Sequence, residues 1–140
     1  EPMPRLSRFL FGGWPKVKHY SFNNDNRSTI VSAKYIDHLG RSHERTVSVE
    51  NRVWTINDKI SGFSNCAILR WRLGKSEWAV KGNQVVSKVA SINIHVGSGE
   101  IVEMKLVKGF DSVYYNVLGE VNILEIEVSN ECNVKTIIYL

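Results

Sequence analysis

Residues able to transfer protons and bind anions are concentrated in the short segment YIDHLGRSHER, from Tyr35 to Arg45. Tyrosine and histidine exchange protons, and arginine forms charge-assisted hydrogen bonds with carboxylates. Together they could neutralise the carboxylate of a uronic acid and shuttle a proton during β-elimination. The alternative, which the sequence favours, is a polar hairpin whose charges satisfy one another in water. Arg41, His43 and Arg45 are the candidate substrate-binding residues of this segment.

A second candidate site is the tyrosine pair Tyr114 and Tyr115, followed by Asn116. These side chains could offer a ring face and a hydroxyl group to a sugar. A tyrosine at the end of a β-sandwich also often buries its ring and bonds its hydroxyl to the backbone. We favour this structural role, and keep Tyr114 and Tyr115 as candidate substrate-binding residues.

The four tryptophans could together form a platform on which sugar rings stack. Trp54 and Trp71 share their predicted strand faces with aliphatic residues, so we assign these two to the core. Trp14 and Trp78 remain open to a sugar-stacking role.

Several other kinds of site are disfavoured by the motifs that are missing. The histidines form no HxH or HExxH pair and have no compact acidic cluster beside them, so no metal site is predicted. No GxSxG elbow, phosphate loop or dinucleotide fingerprint occurs, so no cofactor is predicted. Cys66 and Cys132 are expected to be separate buried thiols, in preference to a disulfide.

The charge of the chain is modest and scattered. Eighteen basic and fourteen acidic residues give a formal net charge of +4. A basic surface attracts anionic partners, such as an acidic polysaccharide. Nucleic acid is not predicted as a partner, since the KGF triplet at Lys108–Phe110 is too short to be an RNA-binding signature. We also expect no membrane span and no signal peptide, because no apolar run is long enough.

Two-residue alternation of apolar and polar side chains dominates the sequence and predicts an all-β fold. AILRWRLG places Leu69, Trp71 and Leu73 on one face and arginines on the other. A hairpin turn is expected near Gly40, and another at GSGE, residues 97–100. About ten short strands between such turns predict an antiparallel β-sandwich.

The first fifteen residues differ from the rest. They contain all three prolines and two adjacent glycines, so residues 1–15 are predicted to be a lead-in or linker. Residues 16–140 are then predicted to be one β-sandwich domain.

Several motifs, taken in order, resemble the C-terminal β-region of heparinase II/III-like proteins over roughly residues 40–140. An arginine follows closely after a histidine at His43 and Arg45. A W-x-I-x-D strand follows at Trp54–Asp58, and an RW-x-L strand at Arg70–Leu73. A tyrosine pair then precedes an alternating strand.

This resemblance implies a polysaccharide lyase that acts by β-elimination on uronic-acid-containing chains such as heparan sulfate or alginate. In the family, an α/α toroid precedes large antiparallel β-layers, and the principal catalytic tyrosine and histidine lie outside the part matched here. The chain is therefore expected to be an accessory C-terminal domain that is inactive alone, with no catalytic residue of its own. Its expected partners are the toroid and central β-region of a parent chain, together with acidic polysaccharide. The resemblance favours a periplasmic, cell-surface or secreted location.

Two other functions remain open. A free-standing carbohydrate-binding module would stack Trp14, Trp78 or Tyr115 on sugar rings. An interaction domain would bind a protein partner and make no sugar contact.

Overall fold

The fold is antiparallel β throughout the described part of the chain. The computed structural model describes Leu6, Gly12, Gly13 and residues 15–25, 27–114 and 117–140, in which no helix occurs. The all-β prediction is confirmed, with nine strands where about ten were expected. Most of the predicted lead-in, residues 1–15, lies outside the described residues. The strands are β1 Lys16–Asn24, β2 Thr29–Ile36, β3 Ser42–Glu50, β4 Val53–Ser61, β5 Cys66–Arg72, β6 Ala79–Lys81, β7 Gln84–Val86, β8 Ser91–Tyr114 and β9 Val117–Tyr139.

All nine strands are hydrogen-bonded into one sheet. The order is β1-β2-β3-β4-β9-β8-β7-β6, and β5 pairs with β9 outside this path. β9 is long enough to serve two neighbours on one edge: its first half pairs with β5 and its second half with β4. Within the described residues, no helix is long and apolar enough to cross a membrane.

The predicted turn near Gly40 is confirmed, whereas the predicted turn at residues 97–100 is wrong. β8 runs straight through the latter segment, which forms a bulge with register shifts between Val96 and Glu100. Both flanks keep the same partner, β9, and Gly99 has a φ of 82° that accommodates the bulge. β9 contains a matching irregularity at Asn130, with a φ of 59°. Each of these two irregularities thus lies inside one long strand, β8 or β9, where separate short strands were expected.

A further register shift changes which side chain enters the core. Regular alternation along EIVEMKLVKG, residues 100–109, would place Val102, Met104 and Leu106 on one face. The register shifts between Ile101 and Glu103, so Ile101 packs against the core and Val102 is exposed. Met104 and Leu106 face inward.

The sheet folds back on itself at these bulges and forms two layers. Trp71 on β5 pairs with Leu124 on β9. Arg45 on β3 pairs with Asp58 on β4, and Asp58 pairs in turn with Val134 on β9. Residues 124 and 134 would be about 33 Å apart on a straight strand. Yet the Arg45 guanidinium carbon lies 4.5 Å from the centre of the Trp71 ring. This contact requires a sandwich arrangement, in which a small layer of β5 and parts of β9 and β8 covers the larger layer.

The core lies between the two layers. Trp71 packs against it, as predicted, but Trp54 is 40% exposed and its assignment to the core is wrong. Trp54 shares a face with the buried Ile56 but lies near the start of β4, beyond the reach of the covering layer. The buried core residues are Leu69, Leu73, Val85, Ile92, Ile94, Leu124, Ile126, Val128, Cys132 and Val134.

The bulge at Gly99 predicts a specific loss of stability. A Cβ at this position would lie 2.7 Å from the Cys132 Cβ and 3.1 Å from the Glu131 carbonyl oxygen. We expect Gly99→Ala to lower the free energy of unfolding by about 1–2 kcal/mol through the positive φ and by about 1–3 kcal/mol more through the contact. Gly82→Ala is the control, since Gly82 has a φ of 57° and no atom within 4 Å of its Cβ position. Equal losses in urea denaturation would contradict the packing at this bulge.

Candidate functional site

The best-defined polar cluster of the protein is centred on Asp58. This residue lies two positions after Ile56 on β4, so its side chain points to the apolar inner face and is completely buried. The register of β3 with β4 places Arg45 opposite Asp58, and His43 one pair further along. His43 Nε2 donates to Asp58 Oδ1 over 2.6 Å. Arg45 donates through Nε to Oδ1 over 2.7 Å and through Nη2 to Oδ2 over 3.1 Å.

Two aromatic rings enclose this cluster. The Arg45 guanidinium lies over the Trp71 ring of the opposite layer, and the Tyr35 ring meets the His43 ring edge-on, with centroids 5.6 Å apart at 79°. A cation over an indole face is attracted by the ring quadrupole. We refer to Tyr35, His43, Arg45, Asp58 and Trp71 as the Asp58 centre.

The protonation of the Asp58 centre follows from its contacts. Burial acts to raise the pKa of Asp58, but the hydrogen bonds from His43 and Arg45 and the charge of Arg45 outweigh it, so the pKa lies below its usual value. Asp58 is therefore ionised at neutral pH and accepts from both partners. Burial, reinforced by the charge of Asp37, raises the pKa of Tyr35. The Tyr35 phenol thus stays protonated and is not a ready base.

The β2–β3 turn forms a second polar group around Asp37. Asp37 Oδ1 accepts the backbone N–H groups of Leu39 and Arg41, each over 2.9 Å, and Oδ2 accepts Arg41 Nε over 2.6 Å. Burial acts to raise the pKa of Asp37, but these bonds outweigh it and hold the pKa below its usual value. Arg41 is thereby tied to the turn that carries it.

A groove of about 320 Å³ runs from this turn to β5, between the two layers. Arg41 and His43 line it, together with Tyr35, Phe63 and Arg70. Arg45, the third candidate of the segment, is not among the lining residues. Arg70 Nε donates to Glu125 Oε1 over 2.7 Å. Arg41, His43 and Arg70 on the groove thus each bond to a carboxylate of the protein.

Tyr114, the first residue of the tyrosine pair, lies elsewhere. Tyr114 is at the tip of the β8–β9 hairpin, away from the groove, and Tyr115 and Asn116 lie outside the described residues. Tyr114 is 73% exposed, so the expectation that it buries its ring is wrong for this residue. No described contact connects it with the Asp58 centre.

Other residues singled out in the sequence have structural positions. Trp78 is partly buried against the core and its Nε1 donates to the Gly74 carbonyl over 2.9 Å. Trp14 lies outside the described residues. Cys66 and Cys132 are both free thiols, but Cys66 is exposed where a buried position was expected. Among the described residues, no three histidine, cysteine or acidic side chains are grouped so as to hold a metal ion.

Asp58 was not among the residues predicted for the site, although a signal was available. In the WTIND motif, an aspartate occupies the inward position two residues after an isoleucine. A carboxylate in phase with an apolar face indicates a buried charge that needs cationic partners. One strand earlier, Arg45 supplies the positive charge, and His43 supplies a further hydrogen bond.

No family model and no curated protein sequence matches the chain. Among solved structures, a heparinase III gene product aligns with a TM-score of 0.74 at 19% identity, over 90% of this chain and 21% of that chain. Heparan sulfate lyase HepC from Pedobacter heparinus aligns with a TM-score of 0.74 at 16% identity, over 89% of this chain and 21% of that chain. The chain has the fold of part of heparinase III. The resemblance predicted from the motifs is thus confirmed in the fold, and the chain spans about a fifth of the length of these lyases.

The Asp58 centre predicts a large effect of removing its carboxylate. We expect Asp58→Ala to lower the free energy of unfolding by about 3 kcal/mol at pH 7, because Arg45 and His43 lose their shared partner at a buried position. Glu44→Gln is the control, since Glu44 forms a 3.9 Å ion pair with Lys34 at the surface. Its expected effect is below about 1 kcal/mol. Similar losses in the two variants would contradict a structural role for the centre.

The lowered pKa of Asp58 also predicts a pH dependence. Between the folded and unfolded pKa values, the unfolded state binds more protons, so stability rises with pH through this interval. The contribution of Asp58 is complete above the ordinary carboxyl pKa of about 4 and is lost as the pH falls through the lower folded value. The stability difference between the wild type and Asp58→Asn should therefore shrink on acidification. Denaturation curves at a series of pH values measure it, and a difference that grew toward low pH would refute this assignment.

Proposed function

We propose that this chain is an accessory β-domain of a heparinase II/III-like polysaccharide lyase, which cleaves uronic-acid-containing chains by β-elimination. The observation that carries the proposal is the shared fold, which includes 90% of this chain but only 21% of a heparinase III. The motifs that predicted this resemblance from the sequence support it. Three of them, at His43 and Arg45, at Asp58 and at Trp71, meet in the Asp58 centre.

The chemistry of the Asp58 centre supports a structural role over a catalytic one. β-Elimination on a uronic acid requires a group that neutralises the substrate carboxylate and a base that removes the adjacent proton. In the Asp58 centre, an ionised carboxylate of the protein already occupies the position that the histidine and arginine could offer to a substrate. The neighbouring phenol of Tyr35 has a raised pKa. The domain is therefore proposed to be inactive alone and to support a catalytic body in the parent chain.

The proposal is tested by comparing the complete gene product with the 140-residue chain. Each is incubated with heparan sulfate and with alginate, and the unsaturated uronate formed by β-elimination is followed by its ultraviolet absorbance. We expect turnover by the complete product and none by the chain alone. Turnover by the chain alone would overturn the accessory role, and a complete product inactive on all uronic-acid chains tested would overturn the lyase assignment.

A second candidate function is that of a carbohydrate-binding module with an acidic saccharide in the groove. The observation in its favour is that Arg41, His43 and Arg70 all line the groove. Arg45 and Tyr114 do not line the groove and would be contacts outside it, and Tyr115 stays a candidate contact from the sequence alone. Arg41, His43 and Arg70 would each have to exchange a carboxylate of the protein for a carboxylate or sulfate of the ligand. Little net binding energy would be gained by this exchange.

The binding function has its own test on the 140-residue chain. If an acidic saccharide binds in the groove, Arg41→Ala weakens heparan sulfate binding about fivefold or more, through the loss of one charge-assisted hydrogen bond. Lys108→Ala removes the same charge from an exposed position near the β8–β9 tip and serves as the control. Isothermal titration calorimetry measures both, with thermal unfolding to verify the folds. No binding by the wild type, or equal weakening in the two variants, rules this function out for the groove.

A further inference from the structure

An apolar strip lies uncovered on the outer strands of the larger layer. It consists of Val17, Tyr20 and Phe22 on β1 and Val31 on β2, and Tyr20 and Phe22 are 79% and 69% exposed. Pairing of Val17 with Tyr35 and of Phe22 with Val31 places the strip on the face that carries the Asp58 centre. The strip is thus the continuation of the inner face of the sandwich.

A bulge keeps the strip on a single face. Val17 and Tyr20 are three residues apart and would lie on opposite faces of a regular strand. The register shifts between Val17 and His19, which returns Tyr20 and Phe22 to the side of Val17. Ser21 and Asn23, on the opposite face of β1, are polar. β1 therefore has one apolar and one polar face, which is typical of a strand whose apolar face packs against another layer.

The covering layer stops before it reaches the strip. Its outermost strand is β5, and Trp71 on β5 lies over Arg45 on β3. Along the inner face, exposure rises from Thr136 and Ile56, which are buried, to Phe22 at the far edge. Among the described strands, β5 pairs with β9 alone, so its other edge points toward the uncovered strip.

We infer that a β-strand of the same polypeptide, from outside these 140 residues, pairs with the free edge of β5 and covers the strip on β1 and β2. The inference rests on the proposed function, because roughly four-fifths of the heparinase III chain lies outside the matched part. An unpaired strand edge offers a row of backbone donors and acceptors, and the strip below it offers an apolar face. One added strand satisfies both.

A protein segment suits this surface better than a saccharide does. Val17 and Val31 contribute aliphatic surface without hydrogen-bonding groups, whereas a sugar site needs polar groups to orient its ligand. The groove beside β5 would be filled by the added strand, so saccharide binding in the groove and this inference exclude each other. A second copy of the chain is an alternative occupant, and the experiment separates it from the added strand.

The test uses two matched double variants of β1. Tyr20→Lys with Phe22→Lys changes the strip, and Ser21→Lys with Asn23→Lys places the same charges on the opposite face of the same strand. In the 140-residue chain, both doubles should leave the unfolding midpoint nearly unchanged, because all four positions are exposed. In the complete gene product, the strip double should lower the midpoint by about 5 °C or more relative to the control, since two aromatic rings lose a buried contact.

Hydrogen exchange and sedimentation complete the experiment. The amides of β5 should exchange more slowly in the complete product than in the 140-residue chain, because the added strand protects them. Equal midpoints for the two doubles and equal β5 exchange would overturn the inference. A 140-residue chain that sediments as a dimer, and becomes monomeric in the strip double alone, would overturn it in favour of a second copy.

The outcomes for this surface and for the proposed function are distinguishable. Lyase turnover by the complete product, together with equal effects of the two doubles, removes the docking inference and leaves the proposed function intact. If the strip double alone destabilises a complete product that shows no lyase turnover, the proposed function is removed and the docking inference is kept.

Discussion

The buried carboxylate of Asp58 is the constraint on which the arrangement of the two layers depends. An ionised carboxylate inside an apolar core is tolerated only with cationic partners and well-formed hydrogen bonds. Arg45 supplies two of these bonds from β3 and at the same time lies on Trp71 of the opposite layer. One side chain therefore fixes the register of β3 with β4 and the position of β5 above them. The centre gives the fold one preferred arrangement where purely apolar packing would permit several.

These pairings with carboxylates of the protein also limit the ability of the groove to bind an anionic ligand. The residue types that suggested uronate chemistry are present in one place, but their charges are neutralised by Asp58, Asp37 and Glu125. A ligand anion would have to displace these carboxylates, two of which are held by several hydrogen bonds. The same histidine, arginine and tyrosine that resemble a substrate site in the sequence therefore act as connections between strands.

The sequence predicted correctly which strand face is buried where one face meets the core and the other meets solvent. It failed where the pairing with a neighbouring strand determines whether a segment is a turn or a bulge. The alternation of Leu69, Trp71 and Leu73 against arginine is confirmed, because one face of β5 meets the core. GSGE at residues 97–100 was assigned to a turn, because glycine at positive φ marks turns and bulges alike. Only the continuous pairing with β9 distinguishes the two. Trp54 was placed by its strand face and Tyr114 by its residue type, but their exposure depends on how far the covering layer extends, which no local pattern contains.

The Asp58 centre was only partly visible in the sequence. The segment containing Arg41, His43 and Arg45 was singled out because of its density of titratable residues, and its role in substrate binding stays a prediction. The role of Asp58 required the register of β3 with β4, and the role of Trp71 required the fold of the sheet onto itself. Both are relations between segments distant in sequence.

The central position of β9 has a consequence for biosynthesis. β9 is the last strand of the described sheet, yet it pairs with β4, β5 and β8. It contributes five of the ten buried core residues that unite the layers, Leu124, Ile126, Val128, Cys132 and Val134. Ribosomes release the chain from its N-terminus, so β1 to β8 emerge without the strand that joins them. Long-range β pairing forms slowly, and unpaired edges attract other chains in the meantime. The edges of β4, β5 and β8 that pair with β9 therefore stay unpaired until β9 has left the exit tunnel.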